Sequence, residues 1–246
     1  MNPVMRKAAL LAASLLALAT TPGAGAAPAK PKPAATKANW NGQVRVTPNG
    51  SYTLGNPNAP VKVTEFVSYT CPHCAKLHQE SDAVLRTTVI PKGQVSLTVT
   101  SYVRNPIDMT VAMLTTCGDP KYFFARHNAF MSTQDTWMAK LRASTEAQRQ
   151  RWSQGDYATR MKALAKDLGF FTKMESFGMS RTQAEQCFAN GKQMKVLEAQ
   201  LTQATDLGVQ GTPSFMINGK LQDGHTWAEL SQEISAALAE TTAGNV

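Results

Sequence analysis

The chain has 246 residues, a hydrophobic fraction of 43% and a formal net charge of +8. This length and hydrophobic content are sufficient for a packed core, in one domain with an insertion or in two small domains. Because the basic residues are scattered and have few aromatic neighbours, the charge does not indicate a nucleic-acid-binding surface, and four cysteines are too few for a disulfide-rich scaffold.

The N-terminal segment has the pattern of an export signal. Two basic residues precede an apolar stretch over residues 8–19, and Ala24-Gly25-Ala26 fits a signal-peptidase site. The apolar stretch is shorter than the ~20 residues that cross a bilayer. We therefore predict a signal peptide over residues 1–26, with an uncleaved anchor as the alternative. Proline, alanine and lysine then dominate residues 27–42, which predicts a flexible linker.

A strand, a helix and a second strand are predicted next. Alternating β-branched residues over 61–67 follow a dense turn signal and predict the first strand. A helical pattern then runs from about Cys71 to Thr88, and strand-like alternation returns over 94–103. A strand–helix–strand order of this kind predicts two parallel strands that are joined by a crossover helix.

The motif Cys71-Pro72-His73-Cys74 begins the predicted helix, and this position has a chemical consequence. Unpaired backbone N–H groups and the positive end of the helix dipole favour a thiolate at Cys71, which we expect to be exposed and to act as the nucleophile. Cys74, one turn further in, would be the shielded resolving thiol. Pro72 is tolerated in the first turn, and His73 can donate a hydrogen bond to the thiolate. Stabilising the thiolate stabilises the reduced form, which makes the disulfide a strong oxidant.

Two other interpretations of this motif stay open. A Cys-x-x-Cys pair is also half of a zinc site, and His78 lies nearby, but the local sequence offers no fourth ligand. A buried structural disulfide is the second alternative. We predict no metal site. His127 and His225 have no partner pattern and are predicted to lie on the surface.

The stretch from about Pro106 to Gly208 changes to helical spacing. Ser180-Arg181-Thr182-Gln183 can form a capping box that begins a helix containing Cys187. Further helices are predicted over Ile107–Cys117, Tyr122–Met131 and Tyr157–Leu168. This part of the chain is therefore predicted to be a helical block.

The last part of the chain predicts a hairpin and a helix. Gly211-Thr212-Pro213 precedes four mostly apolar residues, 214–217, and Asn218-Gly219 is a strong signal for a hairpin to a short partner strand. Thr226-Trp227-Ala228-Glu229 is a second capping box, which begins a final helix that ends near Leu238. The order of elements thus closes with strand, strand and helix.

This order predicts an α/β chain with a thioredoxin-like fold interrupted by an α-helical insertion. The first part of the thioredoxin-like domain covers residues 43–105, the insertion covers 106–194, and the second part covers 195–246. Cys117 and Cys187 both fall in the insertion. A structural disulfide between them would close a loop of about 70 residues and stabilise the fold by roughly 4 kcal/mol. Two free thiols and a second redox pair are the alternatives.

Two segments resemble bacterial DsbA-like proteins of the thioredoxin superfamily. The resemblance covers roughly residues 52–240, and it is sharpest at the active-site segment and at the cis-proline loop of that family. These two segments read EFVSYTCPHCAKLH over residues 65–78 and GTPSFMING over residues 211–219.

The resemblance implies roles for residues that carry no signal of their own. It implies a cis peptide bond before Pro213, packed beside the active-site cysteines, with Thr212 presenting its backbone to a substrate strand. A cis X-Pro bond is uncommon, so its presence would indicate a functional constraint. The resemblance also implies that Glu65 is a buried acid beneath Cys74 that moves protons during exchange. An exposed position on the strand is the alternative for Glu65.

The residue before the proline leaves the direction of exchange open. The well-known oxidases have valine there, whereas this chain has Thr212, as disulfide isomerases of the same superfamily do. Those isomerases have a dimerisation domain in front of the fold, and too few residues precede the first predicted strand to form one. Pro72-His73 also resembles the dipeptide of the oxidases, so the comparison favours an oxidase.

We therefore predict a periplasmic thiol:disulfide oxidoreductase that introduces disulfide bonds into exported proteins through its CPHC couple. The resemblance implies exported substrate proteins with free thiols and a quinone-linked membrane reoxidase as partners. We predict a monomer with no cofactor and no nucleic-acid partner. An isomerase or reductase of the same fold is the first alternative, and a chaperone or metal-binding module is the second.

Overall fold

The computed structural model describes residues 39–243. The signal peptide predicted over residues 1–26 and most of the linker predicted over 27–42 lie outside the described residues. At the end of that linker, Trp40–Gly42 form a 3-10 turn, and Trp40 packs against the hydrophobic core. Within the described range, no helix is both long enough and apolar enough to cross a membrane.

A single sheet forms the centre of the described structure. Its strands are β1 (Val44–Val46), β2 (Tyr52–Gly55), β3 (Val61–Val67), β4 (Val95–Ser101), β5 (Ser214–Ile217) and β6 (Lys220–Leu221). Their order is β1-β2-β4-β3-β5-β6, in which β3 and β4 are parallel and the other neighbours are antiparallel. The predicted parallel pair and the predicted hairpin are both present. β1 and β2 were missed, because both are short and β1 has no buried residue.

Helices surround this sheet and fill the predicted insertion. Those of the described residues are α1 (Pro72–Val84), α2 (Pro106–Thr115), α3 (Phe123–Met131), α4 (Gln134–Arg142), α5 (Glu146–Ser153), α6 (Tyr157–Leu168), α7 (Phe170–Glu175), α8 (Arg181–Phe188), α9 (Gly191–Asp206) and α10 (Trp227–Ala243). The sequence patterns did not predict α4, α5 or α7. α5 has no buried residue and therefore no apolar period, and α7 is only six residues long.

Local capping signals explain where several helices begin. The Ser180–Gln183 and Thr226–Glu229 capping boxes are both formed, at the starts of α8 and α10. Asn105 caps α2 by accepting hydrogen bonds from two backbone N–H groups of its first turn. The predicted ends are less accurate. α1 stops at Val84 and is followed by a π-helical turn, and α10 continues past the predicted end near Leu238.

The hydrophobic core continues from the sheet into the insertion. Residues of β2, β3 and β4 belong to the same buried cluster as residues of α2, α3 and α6. Tyr52 of β2 stacks on Phe123 of α3, with ring centroids 3.9 Å apart and planes inclined by 6°. From Asp108 to Thr115, every residue of α2 is buried. The insertion therefore shares its packing with the sheet, which fixes its position relative to the start of α1.

Candidate active site

The two cysteines of the motif lie at the N-terminal end of α1. Cys71 is the N-cap residue, with φ −83° and ψ 118°, and Pro72 occupies the first turn of the helix. Both thiols are unbonded and both residues are buried, with Cys71 3% exposed and Cys74 0% exposed. The prediction that Cys71 is exposed is wrong, because the loop that contains Thr212 packs against its sulfur. Pro72 and His73 are exposed between them. The Cys71 sulfur therefore lies next to the unpaired N–H groups at the start of α1. Cys74 has no surface exposed to solvent.

Their surroundings make the two thiols chemically different. A hydrogen bond with the Cys74 thiol is the largest influence on the pKa of Cys71, and the Thr212 side chain and the backbone N–H groups of Cys74 and His73 act in the same direction. Together they lower the pKa of Cys71 to about 5, against the opposing effect of burial. Burial raises the pKa of Cys74 well above its ordinary value. At neutral pH, Cys71 is therefore the thiolate and Cys74 the protonated thiol.

The loop between α9 and β5 closes over Cys71. The Thr212–Pro213 peptide bond is cis, as the resemblance implies. Cys71 Sγ donates a hydrogen bond to the carbonyl oxygen of Thr212 at 3.1 Å. The Thr212 hydroxyl is buried, and within residues 39–243 it has no hydrogen-bond partner. A thiolate at Cys71 cannot donate to the carbonyl, so the free hydroxyl is a donor that the deprotonated sulfur can use.

Glu65 is a buried acid in the middle of β3. It is 6% exposed and lies between Val99 of β4 and Phe215 of β5. The alternative, an exposed strand position, is wrong because both faces of the sheet are covered at this end of β3, where Phe66 and Val67 are buried in different clusters. Burial raises the pKa of Glu65 to about 8, and the negative charge of Asp82 acts in the same direction.

Glu65 and Cys74 also interact electrostatically. A negative charge on Glu65 is one of the influences that raise the pKa of Cys74, although burial of the thiol is larger. A carboxyl group with a pKa of about 8 can exchange a proton at neutral pH. Glu65 and Cys74 are therefore a coupled pair in which ionisation of one group disfavours ionisation of the other.

A groove of about 800 Å³ lies on the outer side of the motif. His73 of α1, Thr212 and Pro213 of the cis-proline loop, Leu221 of β6 and His225 contribute to its walls. Its volume is in the range of ordinary ligand sites. The groove therefore gives a bound segment access to the backbone next to Cys71.

His225 is a site residue that sequence reasoning missed. Its Nδ1 donates a hydrogen bond to the carbonyl oxygen of Pro213 at 2.7 Å. Its backbone N–H donates to Glu229 Oε2 at 2.9 Å, so the capping box of α10 also holds this residue in place. His225 is exposed, as predicted, but it was not expected to touch the loop. Its position just before a capping box is the only local signal that could have drawn attention to it.

Two polar side chains from the insertion hold the segment that leads into the motif. Gln134, at the start of α4, donates from Nε2 to the carbonyl oxygens of Tyr69 at 2.7 Å and Cys71 at 2.8 Å. Asp108 of α2 accepts hydrogen bonds from the Ser68 hydroxyl and the Thr70 N–H, both at 2.8 Å. Both side chains are almost fully buried. Sequence reasoning identified neither, because each contact joins residues far apart in the chain.

The prediction that His127 lies on the surface is wrong. His127 is 3% exposed, because α3 carries it into the core, where its Nδ1 lies 3.1 Å from the Tyr69 hydroxyl. Burial lowers the pKa of His127 well below its ordinary value, so the ring is neutral. His78, the residue considered as a zinc ligand, donates from Nε2 to Asn128 Oδ1 at 2.8 Å. Both rings thus contribute to the packing between α1 and α3.

Cys117 and Cys187 form a disulfide bond in the structure. Their Cα atoms are 5.9 Å apart, and the bond joins the end of α2 to α8 across 70 residues. Cys117 is 8% exposed, and neither cysteine lines the groove beside the motif. The bond therefore ties the insertion together at a place separate from Cys71.

Comparison with known proteins gives the same fold. A family model described as thioredoxin matches residues 47–236. The crystal structure of a protein-disulfide isomerase from Novosphingobium aromaticivorans is 46% identical, with a TM-score of 0.72 over 76% of this chain and 96% of that chain. Wolbachia pipientis alpha-DsbA1 is 19% identical, with a TM-score of 0.63 over 81% of this chain and 96% of that chain, which shows likeness of fold.

A curated protein of Rickettsia typhi, provisionally named a protein-disulfide oxidoreductase, is 28% identical over 200 residues. The match covers 79% of this chain and 64% of the relative. Related proteins of two other Rickettsia species are covered over 60% and 62% of their length. The chain thus spans somewhat less than two thirds of the curated relatives that it matches. From the family model and the 46% identical structure, this chain belongs to the thioredoxin family and has the fold of the DsbA-like proteins.

Proposed function

We propose that this protein is a thiol:disulfide oxidoreductase that introduces disulfide bonds into exported proteins. The observation that carries the proposal is the position of Cys71, at a helix start against the cis-proline loop, where the pKa of its thiol is lowered to about 5. A thiol that ionises so readily is a good leaving group and stabilises the reduced form of the couple. Both properties favour transfer of the disulfide to a substrate.

The reaction begins with the oxidised form, in which Cys71 and Cys74 share a disulfide. A substrate thiolate attacks Cys71 Sγ, the Cys71–Cys74 bond breaks, and Cys74 leaves with the electron pair. A second substrate thiolate then attacks the substrate sulfur of the mixed disulfide. A substrate disulfide forms, and Cys71 leaves as the stabilised thiolate. Two electrons pass from the substrate dithiol to the protein, which ends as the dithiol.

Glu65 is the proposed proton donor to Cys74 in the first step. Cys74 leaves as a thiolate in a buried place that disfavours its charge. Because burial raises the pKa of Glu65 to about 8, the carboxyl group is mostly protonated at neutral pH and can supply the proton. In the reverse direction the carboxylate would accept the proton again.

An isomerase is the second candidate function. Two observations favour it: Thr212 precedes the cis-proline, and the 46% identical relative is named a protein-disulfide isomerase. The acidity of Cys71 and the Pro72-His73 dipeptide favour the oxidase. We therefore keep oxidation as the main proposal and isomerisation as the alternative, with a chaperone or metal-binding role as the last.

The proposed setting is the periplasm, after removal of residues 1–26. The pattern of that segment supports export, and an oxidising compartment is where disulfides persist. The proposed partners are exported proteins with free thiols and a membrane protein that passes electrons to quinone. We propose that the protein acts as a monomer.

Measuring the reduction potential of the Cys71–Cys74 couple tests the proposed direction. The purified protein is equilibrated with glutathione buffers, and Cys74→Ala is used to trap mixed disulfides with reduced, unfolded proteins. We expect a potential well above −200 mV, which is where oxidising members of this superfamily lie. A value near −270 mV would favour a reductase.

Activity on defined substrates separates the remaining candidates. An oxidase forms disulfides in a reduced protein, whereas an isomerase restores activity to a protein with scrambled disulfides. Cys71→Ser should abolish both activities. A wild-type protein whose Cys71 and Cys74 never cycle, or which binds zinc stoichiometrically at these thiols, would contradict the proposal and leave the chaperone or metal-binding role.

A further inference from the structure

One wall of the groove beside the motif is formed by the segment that joins β6 to α10. The backbone N–H of Gln222 donates a hydrogen bond to the carbonyl oxygen of Phe215 at 2.9 Å. Three residues later, His225 Nδ1 donates to the carbonyl oxygen of Pro213 at 2.7 Å. The segment between these two donors therefore runs beside the cis-proline loop and the start of β5, and it is held there at both ends.

Asp223 lies between these two hydrogen bonds. It is exposed, and it lines the same groove as His73 and Thr212. The next residue, Gly224, lies so near the start of α10 that a Cβ added to it would be 2.7 Å from Glu229 Cβ. The loop is thus packed closely against α10 on its other side. These contacts fix the backbone of Asp223 at the wall of the groove, close to the loop that covers the reactive sulfur.

The charge of Asp223 is not matched by any basic residue in the groove. Among the described residues, Asp223 is the only acid that lines the groove, and no lysine or arginine lines it. No ion pair within residues 39–243 includes Asp223 or Lys220, the nearest lysine along the chain. An exposed and unpaired carboxylate is thus available to a ligand. Its sign is opposite to the net charge of +8 of the whole chain.

A carboxylate at this place acts on a substrate in two opposite ways. It repels the thiolate of the substrate as that group approaches Cys71, and it attracts a basic side chain of the same substrate. A lysine or arginine near the reacting cysteine therefore offsets the repulsion and gains an ion pair. We propose that Asp223 makes the groove selective for substrate segments with a basic residue within a few residues of the cysteine. This inference rests on the proposed function, and it names the class of substrate segment.

Two reduced peptides of equal length test this selectivity on the full, oxidised chain. Acetyl-Ser-Lys-Ser-Cys-Ser-Lys-Ser-amide has a lysine on each side of its cysteine, and the second peptide has glutamate at both positions. The readout is the rate at which each peptide reduces the Cys71–Cys74 bond at low ionic strength, followed by acid quenching and mass spectrometry. A nearby lysine also acidifies the peptide thiol. Each rate is therefore divided by the rate of the same peptide with hydroxyethyl disulfide, which is uncharged.

After this correction, we expect the lysine peptide to react about 2- to 5-fold faster than the glutamate peptide, as an exposed ion pair allows. The ratio should approach unity at high salt, which tests the wild-type protein without any variant. Asp223→Asn should slow the lysine peptide and accelerate the glutamate peptide, whereas a loss of structure would slow both. Glu175→Gln is the matched control, because it removes an exposed, unpaired carboxylate of α7 that does not line the groove. It should leave the ratio unchanged.

Three rate patterns would overturn this inference and leave the proposed function standing. Equal corrected rates would show that the groove does not select by charge. A faster glutamate peptide would show that the net positive charge of the chain outweighs Asp223. The same ratio in the wild-type protein and in Asp223→Asn would assign the selectivity to another group. If neither peptide reduces the Cys71–Cys74 bond, the proposed function fails, and this inference fails with it.

Discussion

At the scale of single residues, the chemistry depends on a contrast between two thiols that are one helical turn apart. Cys71 sits at the helix start, where donors stabilise its anion, and Cys74 is buried where an anion is disfavoured. In the proposed reaction, this contrast makes Cys71 the sulfur that leaves as a stable anion and Cys74 the sulfur that needs a proton when it leaves. Thr212 belongs to the loop that covers Cys71, and His225 holds that loop through a hydrogen bond to Pro213.

The reactivity of Cys71 should follow its ionisation. For a group whose folded-state pKa is lowered, the thiolate persists above that pKa, so we expect alkylation of the reduced protein by iodoacetamide to rise through about pH 5 and to level off by pH 7. Cys74→Ala should move the midpoint upward, because the Cys74 thiol gives the largest lowering. Absorbance of the thiolate at 240 nm provides an independent measurement. A midpoint near 9 in the wild-type protein would contradict this assignment.

The hydrogen bond from His225 to Pro213 should matter for exchange. His225→Ala removes the Nδ1 donor, and the loss of one such bond is expected to slow reaction of the oxidised protein with a reduced peptide about 2- to 12-fold. His225→Asn places an amide donor near the position of Nδ1 and should recover most of the rate. Equal rates for the wild-type protein and both variants would show that the bond does not support the loop.

At the scale of elements, the insertion and the sheet meet at the segment that leads into α1. Gln134 of α4 and Asp108 of α2 hold the backbone from Ser68 to Cys71 through buried hydrogen bonds. The start of α1 is therefore held by side chains of the insertion as well as by the hydrogen bonds of the helix itself. Preorganisation of this kind would keep the donors around Cys71 in place without further ordering during the proposed reaction.

Replacing Gln134 tests this support. Gln134→Leu keeps the side-chain volume but leaves the Tyr69 and Cys71 carbonyls without their donor, so we expect the free energy of unfolding to fall by about 2 kcal/mol. The reduction potential should change as well, since the first turn of α1 loses its anchor. Gln150→Leu, on the exposed surface of α5, is the matched control and should change stability by less than about 0.5 kcal/mol. Denaturant titration and glutathione equilibration measure the two effects.

At the scale of the whole described structure, the main hydrophobic cluster and the Cys117–Cys187 disulfide join parts that are far apart in the chain. The main cluster includes residues of the sheet and of the insertion, so the two regions are expected to unfold together. The Cys117–Cys187 bond spans 70 residues and crosses the insertion from α2 to α8. It constrains the unfolded chain at a place distant in sequence from the reactive motif.

Removing this disulfide should affect stability and leave the couple unchanged. For a loop of this length, the Cys117→Ser/Cys187→Ser variant is expected to lose roughly 4 kcal/mol of unfolding free energy on the chain-entropy model. Its Cys71–Cys74 reduction potential should equal that of the wild-type protein. Thiol counting on oxidised wild-type protein should find no free cysteine. Two reactive thiols in that sample would show that the bond does not persist in solution.

Local signals predicted the elements that surround the motif. Alternation predicted β3 and β4, the Asn218-Gly219 turn predicted the hairpin, and two capping boxes predicted the starts of α8 and α10. These features depend on neighbouring residues, so the sequence is sufficient to find them. α5 was not predicted because its residues are almost all polar. A helix with no buried face has no periodic pattern of apolar residues in its sequence.

The sequence by itself determined the motif, its place at a helix start and the cis-proline loop opposite it, because these rest on short patterns and on a resemblance confined to two segments. The tertiary structure alone decided which distant residues reach the motif. Gln134 and His225 lie 63 and 12 residues from the backbone atoms that they contact, and the burial of Glu65 and His127 depends on elements packed from elsewhere in the chain. Spacing along a chain does not encode such contacts, since they arise only when the helices pack against the sheet.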